Sequence, residues 1–256
     1  MDSGTSARIA KLAVSAPQQH VIEIGAGTGA LTAALVALGA EVTAFDIDPE
    51  MVRILESRED LANVRIELGD ALAYDYAGWA GTTPWVAAGN LPYNIATPLM
   101  LQLADLPHPP ERIIAMIQKD VADRLTAKPG TASYGSLTVA IGLRMSVERA
   151  FNVSPGQFYP RPNVNSTVVV LRRHEQPPVP VRDRIWFERV VRGAFGYRRK
   201  TLANAIALSL EIPRERVTDA LRALELNPEI RGEELDLVTF AALADALADG
   251  GVLPQT

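Results

Sequence analysis

The sequence contains no cysteine. That absence removes disulfides, thiolate nucleophiles and cysteine-bound zinc together, and it fits a reducing compartment. Histidine is nearly as scarce: only His20, His108 and His174 occur, far apart along the chain, so a histidine-built metal site is not expected. Net positive charge is missing too, with 25 Lys and Arg against 30 Asp and Glu for a net of −5. A broad positive field for a polyanion is therefore excluded, and any such site has to be a local patch. There is no apolar run of the roughly 18 residues a membrane span needs. The N-terminus also lacks a basic segment followed by a hydrophobic one. These absences lead us to expect a soluble cytoplasmic chain that needs no metal and has no membrane partner.

What remains is 256 residues, 48% hydrophobic and 21% charged, enough to bury a core and too apolar for disorder. Short β-branched runs alternate with longer helical patterns through the first 170 or so residues. Val21–Ile24, Glu41–Phe45, Val64–Leu68, Trp85–Ala88, Arg112–Ile117 and Asn165–Leu171 read as strands. Leu31–Leu38 reads as a helix stopped by Gly39, and Pro49 opens another where its missing N–H costs little. Strands separated by helices of this length predict βαβ units, a parallel sheet and an α/β, Rossmann-like fold.

The stretch His174–Pro180 interrupts that rhythm, because Pro177, Pro178 and Pro180 can continue neither a helix nor a central strand. Beyond it only helical patterns follow, over Phe187–Ala194, Lys200–Leu210, Arg214–Leu224 and Leu235–Ala248. The expected organisation is an α/β domain over 1–174, a proline-rich linker over 175–180 and a small all-helical domain over 181–256. Charge is shared unevenly. Residues 172–200 hold 9 basic and 3 acidic side chains, whereas residues 201–256 hold 4 and 10. The basic island contains Arg189, Arg192, Arg198, Arg199 and Lys200.

Glu23-Ile-Gly25-Ala-Gly27-Thr-Gly29 sits where the first strand turns into a helix. Glycines there let backbone approach a ligand, and the helix start offers free N–H groups. The pattern alone leaves three readings open: a dinucleotide loop, an S-adenosylmethionine loop, or a glycine turn needed only for packing. Asp46 ends the second strand, placed to accept from a ribose diol in either cofactor. Asp70-Ala71 follows the third strand, where a carboxylate can accept from an adenine amino group and the next N–H can donate to its ring. Ligands of open α/β sheets sit at the carboxyl ends of the strands, which is where these acids fall.

Asn90-Leu91-Pro92-Tyr93 follows the fourth strand at that same edge. Together with the run through Pro98, Gln118–Leu125, Phe158-Tyr-Pro-Arg-Pro162 and Arg198-Arg-Lys-Thr-Leu202, it resembles the small-subunit rRNA adenine N6,N6-dimethyltransferase family. The matches span nearly the whole chain. The resemblance implies S-adenosyl-L-methionine as cofactor, held by Glu23, Gly25, Gly27, Asp46, Ile47, Asp70, Ala71 and Asn90. It implies Asn90, Leu91, Pro92, Tyr93 and Phe158 as the catalytic set, with Tyr93 and Phe158 stacking on a flipped base. By itself Phe158 reads equally as a core anchor of the Pro160–Pro162 segment. The resemblance also implies a monomer acting on rRNA in an assembling small subunit, with the basic island facing RNA phosphates. A solvated helix face is the plain alternative for that island.

The chain departs from the family pattern in three places. The family has a Gly-Gln-Asn/His-Phe-Leu segment before its first helix, and this sequence starts at Met1-Asp2-Ser3-Gly4. A cofactor-binding assembly factor with weak or no catalysis is therefore the competing expectation. Asp46 stands where Glu is usual, and Asn163 where Lys is usual. Large-subunit rRNA adenine methylation is a nearer rival, against which Arg198–Leu202 argues. Hydride transfer to a nicotinamide has no acid–base group to support it.

Overall fold

The structure, a computed structural model, describes residues 2–92, 94–157, 164–197 and 199–249. Asp2 opens α1 (Ser3–Ala13) by accepting from the Thr5 N–H, a capping bond of a kind worth about 1 kcal/mol. There follow β1 (His20–Ile24), α2 (Ala30–Ala37), β2 (Glu41–Asp46), α3 (Pro49–Glu56), β3 (Arg65–Leu68), α4 (Tyr76–Ala80), β4 (Trp85–Asn90), α5 (Ala96–Ala104) and β5 (Arg112–Gln118). Next come α6 (Lys119–Leu125), α7 (Ser136–Arg144), β6 (Met145–Val153) and β7 (Ser166–Arg173). The chain ends in α8 (Arg184–Gly196), α9 (Leu202–Leu210), α10 (Arg214–Ala223) and α11 (Leu237–Asp249).

The strands form one seven-stranded sheet in the order β3-β2-β1-β4-β5-β7-β6. The first five are mutually parallel, and the order reverses at β1. Val21, Ile22, Val86, Ala88, Ile114 and Met116 are buried to 1% exposure or less, which explains why these strands are continuous apolar runs. The all-parallel expectation is corrected at the far edge. β7 runs antiparallel to β5, and β6 antiparallel to β7. β6 was not read from the sequence because Glu148 and Arg149 interrupt its apolar pattern, and its pairing with β7 shifts register between Arg149 and Phe151. An irregular, charged edge strand of this kind resists pairing with other chains.

The chain divides into two compact units, one of Met1–Ala122 with Met145–Arg173, the other of Asp123–Arg144 with His174–Thr256. The division differs from the sequence boundary at 174, since residues 123–144 group with the helices. Packing explains this. Tyr134 and Val139 share a buried cluster with Phe187, Leu202, Leu221 and Phe240, and the Tyr134 hydroxyl donates to the Leu235 carbonyl at 2.8 Å. Arg144, on α7, pairs with Glu188 on α8 at 2.5 Å. Among the described residues no helix is long and apolar enough to cross a membrane.

Candidate active site

The glycine loop after β1 is where the sheet's local chemistry becomes specific. Gly25, Gly27 and Gly29 take φ of +72°, +54° and +82°, the left-handed region that side chains rarely adopt. The N–H groups of Gly25 and Ala26 both donate to the Phe45 carbonyl, at 3.0 and 3.1 Å. Asp46 then accepts from the Gly27 N–H through one carboxylate oxygen at 2.8 Å and from the Asp48 N–H through the other at 3.0 Å. Each oxygen keeps a second lone pair, so the carboxylate can brace the loop and still accept from a ligand.

β4 is brought against this loop by a glycine. A Cβ on Gly89 would lie 2.4 Å from the Ile24 carbonyl oxygen, so any side chain there would push β4 away from β1. The close approach sets Asn90 beside Gly25, whose own Cβ position is 3.7 Å from the Asn90 carbonyl oxygen. Leu91 then continues the ladder by donating its N–H to Met116 at 3.1 Å, with its side chain buried.

The third element is the turn after β3. Asp70 accepts from the Leu72 N–H at 2.9 Å, forming a self-closed turn. The buried Tyr76 hydroxyl donates to the Ala71 carbonyl at 2.9 Å. Tyr76 is held in turn by a ring stack on Trp85 with centroids 6.1 Å apart. Burial pushes the Tyr76 hydroxyl well above the ordinary tyrosine range, so it acts as a fixed donor. Gln102 adds a bond to the Leu72 carbonyl at 3.2 Å.

These loops enclose a cavity of about 450 Å³. Of the sequence-predicted residues it brings together Gly25, Asp46, Ile47, Asp70, Ala71, Asn90 and Pro92. Glu23, Gly27 and Leu91 are not part of its lining. Tyr93, Phe158 and Arg198 lie outside the described residues, as does the Phe158–Asn163 stretch. Leu72, Asn94, Ile95 and Phe45 also line the cavity and were not among the predicted site residues. Asn94 and Ile95 belong to the quoted motif run, and Leu72 is two positions after Asp70, so adjacency in sequence was the available signal.

Glu23 sits beneath the loop, 1% exposed, with one carboxylate oxygen lacking any hydrogen-bond partner. Burial, reinforced by the Asp46 carboxylate and opposed by Thr32, pushes its carboxyl up to about 8. Near neutral pH the protonated form is therefore favoured in the free protein. A buried carboxyl with an unused oxygen next to a ligand loop is suited to a ligand that carries positive charge.

A family model described as ribosomal RNA adenine dimethylase matches residues 2–242. The chain belongs to this family. Among relatives of the ribosomal RNA adenine dimethylase chain, Ribosomal RNA small subunit methyltransferase A of Pseudomonas putida is 39% identical over 251 residues, 97% of this chain and 91% of the relative. The Streptococcus gordonii protein of the same name is 40% identical over 242 residues, covering 91% and 83%. A crystal structure of a dimethyladenosine transferase from Plasmodium falciparum superposes with a TM-score of 0.76 at 27% identity, covering 94% of both chains. The 23S rRNA methyltransferase ErmE superposes with a TM-score of 0.73 at 25% identity, covering 97% and 98%.

In this dimethylase the predicted basic positions are not equivalent. Arg189 is half-buried, its guanidinium 5.7 Å from the Trp186 ring centre, while Arg192, Arg199 and Lys200 are exposed. A second cavity, of about 270 Å³, lies at the opposite, amino ends of the strands. Much of its polar lining is paired: His20 with Glu41 at 3.4 Å, Trp79 with Thr43 at 3.0 Å, and Arg65 with Glu67. The carboxyl-edge cavity is the one lined by the glycine loop, Asp46, Asp70 and Asn90.

Proposed function

We propose that the carboxyl-edge cavity binds S-adenosyl-L-methionine, and that the chain methylates N6 of two adjacent adenosines in a 3′-terminal hairpin loop of small-subunit rRNA, giving N6,N6-dimethyladenosine. The observation that carries this reading is the convergence of Gly25, Asp46, Asp70 and Asn90 on one cavity, in a chain of this family. The residues fit the cofactor. Its volume class is that of a small-molecule site. Asp46 can accept from the ribose diol, Asp70 from the adenine amino group, and Ile47 and Leu72 offer apolar walls. Gly25 and Gly27 let the loop backbone approach, with the Glu23 carboxyl buried beneath that loop.

When bound, the cofactor supplies an electrophilic methyl group. The work of the chain is to ready the nucleophile. An adenine amino nitrogen attacks poorly while its lone pair is delocalised into the ring. The Asn90 side-chain oxygen and the Leu91 carbonyl accept its two hydrogens, which favours a pyramidal nitrogen with a localised lone pair. Pro92 fixes φ and has no N–H, so the turn that aims these acceptors stays rigid. Tyr93 and Phe158 are assigned the two faces of the flipped base, worth about 1–3 kcal/mol per stack. Positioning for in-line transfer supplies most of the acceleration. The amine loses its proton to water after transfer, so no strong base is required.

Arg189, Arg192, Arg198, Arg199 and Lys200 contact RNA phosphates, which positions the substrate without reading sequence. Selectivity then comes from RNA shape and an unstacked loop. The fold is shared with an enzyme named for 23S rRNA, so fold does not choose between the ribosomal subunits. The sequence relatives named for the small subunit favour that substrate. The protein works as a cytoplasmic monomer on an assembling small subunit.

The test is incubation with labelled S-adenosylmethionine and undermethylated small subunits, followed by nucleoside analysis. Dimethyladenosine is the expected product. Its absence at full cofactor occupancy would reject the enzyme and leave a cofactor-binding assembly factor.

A further inference from the structure

The cofactor loop is held from two sides, and one side comes from a residue that no motif marks. Asp46 binds a donor of the loop, the Gly27 N–H. Arg58, which follows α3, binds an acceptor one residue further on: its Nη1 donates to the Thr28 carbonyl at 2.7 Å. The rest of the guanidinium is fixed by Asp60, with Nε on Oδ1 at 3.0 Å and Nη2 on Oδ2 at 2.5 Å. A two-bond fork of this kind sets the guanidinium plane and leaves one N–H pair pointing away from the carboxylate. That remaining pair is the one on the loop.

The loop is shaped to receive it. A Cβ on Gly29 would lie 2.9 Å from Arg58 Nη1, 2.7 Å from Leu55 and 3.0 Å from Leu61. The glycine therefore serves close packing against the α3 segment as well as its left-handed φ of +82°. Thr28 and Gly29 directly precede α2, so its carbonyl orientation decides where the first free N–H groups of that helix point. The charge balance is also apt. An unpaired arginine at a helix start that faces a cationic ligand would be repulsive, and Asp60 neutralises it.

We propose that Arg58, oriented by Asp60, is a positioning residue for cofactor binding: it fixes the Thr28 peptide without touching the cofactor. The proposal rests on the reading of this loop as the S-adenosylmethionine site. Its loss falls on cofactor affinity, while methyl transfer from the filled site proceeds, because Asn90 and Leu91 lie at the end of β4 and are not held by Arg58.

The experiment compares Arg58→Ala, Arg58→Gln and Arg58→Lys in the full chain. Titration calorimetry with S-adenosylmethionine gives affinity, and steady-state methylation of small subunits separates KM for the cofactor from kcat. Removing a charge-assisted bond of this type is expected to weaken cofactor affinity about tenfold in the Ala and Gln variants, with kcat within about twofold. Arg58→Lys, able to reach the carbonyl with one N–H, recovers part of the loss. Arg53→Ala, whose side chain bonds to its own helix at Pro49, serves as control and leaves affinity unchanged. Unchanged affinity in a folded Ala or Gln variant overturns the proposal, and so does a Lys variant as weak as Ala. If Ala does not fold, Gln, which keeps the stem, decides alone. Failure of the unmodified chain to bind S-adenosylmethionine would instead reject the functional reading beneath it.

Discussion

Replacing Glu23 by Gln tests the electrostatics of the site most directly. The carboxyl is buried to 1% exposure, faces Thr32 and the Asp46 carboxylate, and leaves one oxygen bare. Its ionisation is pushed from an ordinary 4.5 to about 8 in the folded chain, by burial first and by Asp46 second. The sign follows from proton counting. Between those two values the folded chain keeps a proton that the unfolded chain has lost, so stability falls as pH rises and levels off above the folded value. Each unit is worth about 1.4 kcal/mol. From about pH 5.5 to about pH 8.5 the wild type should therefore lose about 3 kcal/mol that Glu23→Gln, neutral throughout, does not lose. Urea unfolding of both proteins across that range gives the double difference, in which every other titrating group cancels. The two stability curves should converge at low pH and separate steadily upward. Parallel curves would refute the reasoning and mean that the carboxyl is either solvated or ionised against a cation. Saturating S-adenosylmethionine should shrink the separation, since a positive ligand favours the ionised form.

Three further outcomes follow from the same geometry. Asn90→Ala should lower kcat by at least about 100-fold while changing cofactor affinity far less, because an acceptor used in the transition state is removed; equal losses in both would place Asn90 in cofactor binding alone. Gly89→Ala, whose methyl would meet the Ile24 carbonyl oxygen at 2.4 Å, should cost at least about 2 kcal/mol in urea unfolding and lower kcat by moving Asn90; a silent substitution would refute the close-approach argument. Replacing Arg198, Arg199 and Lys200 together by Ala should reduce the salt slope of RNA binding by about 2 and leave cofactor affinity unchanged, and an unaltered slope would remove the patch from the RNA site.

The cofactor edge was legible because its determinants are local. Glycines that must take positive φ, acids at strand ends and the Asn90–Tyr93 run occupy consecutive positions, and a parallel sheet delivers strand ends to one edge whatever the helices between them do. The grips on those loops were not legible. Arg58 reaches Thr28 across 30 positions and Gln102 reaches Leu72 across 30, and neither lies in a pattern that marks it. β6 was missed because an edge strand needs only one packed face, so Glu148 and Arg149 could replace the apolar signal.

By itself the sequence determined the α/β class, six of the seven strand positions, the helical tail after the prolines and the family, because periodicity, turn residues and contiguous motifs are written along the chain. Tertiary structure decided the antiparallel β6–β7 edge and the grouping of residues 123–144 with the helices. It also decided that Glu23 is buried beneath the loop, where desolvation pushes its carboxyl upward. Each of these depends on which distant groups exclude water from, or donate hydrogen bonds to, a given residue, and that is set by packing across the fold and not by neighbours in sequence.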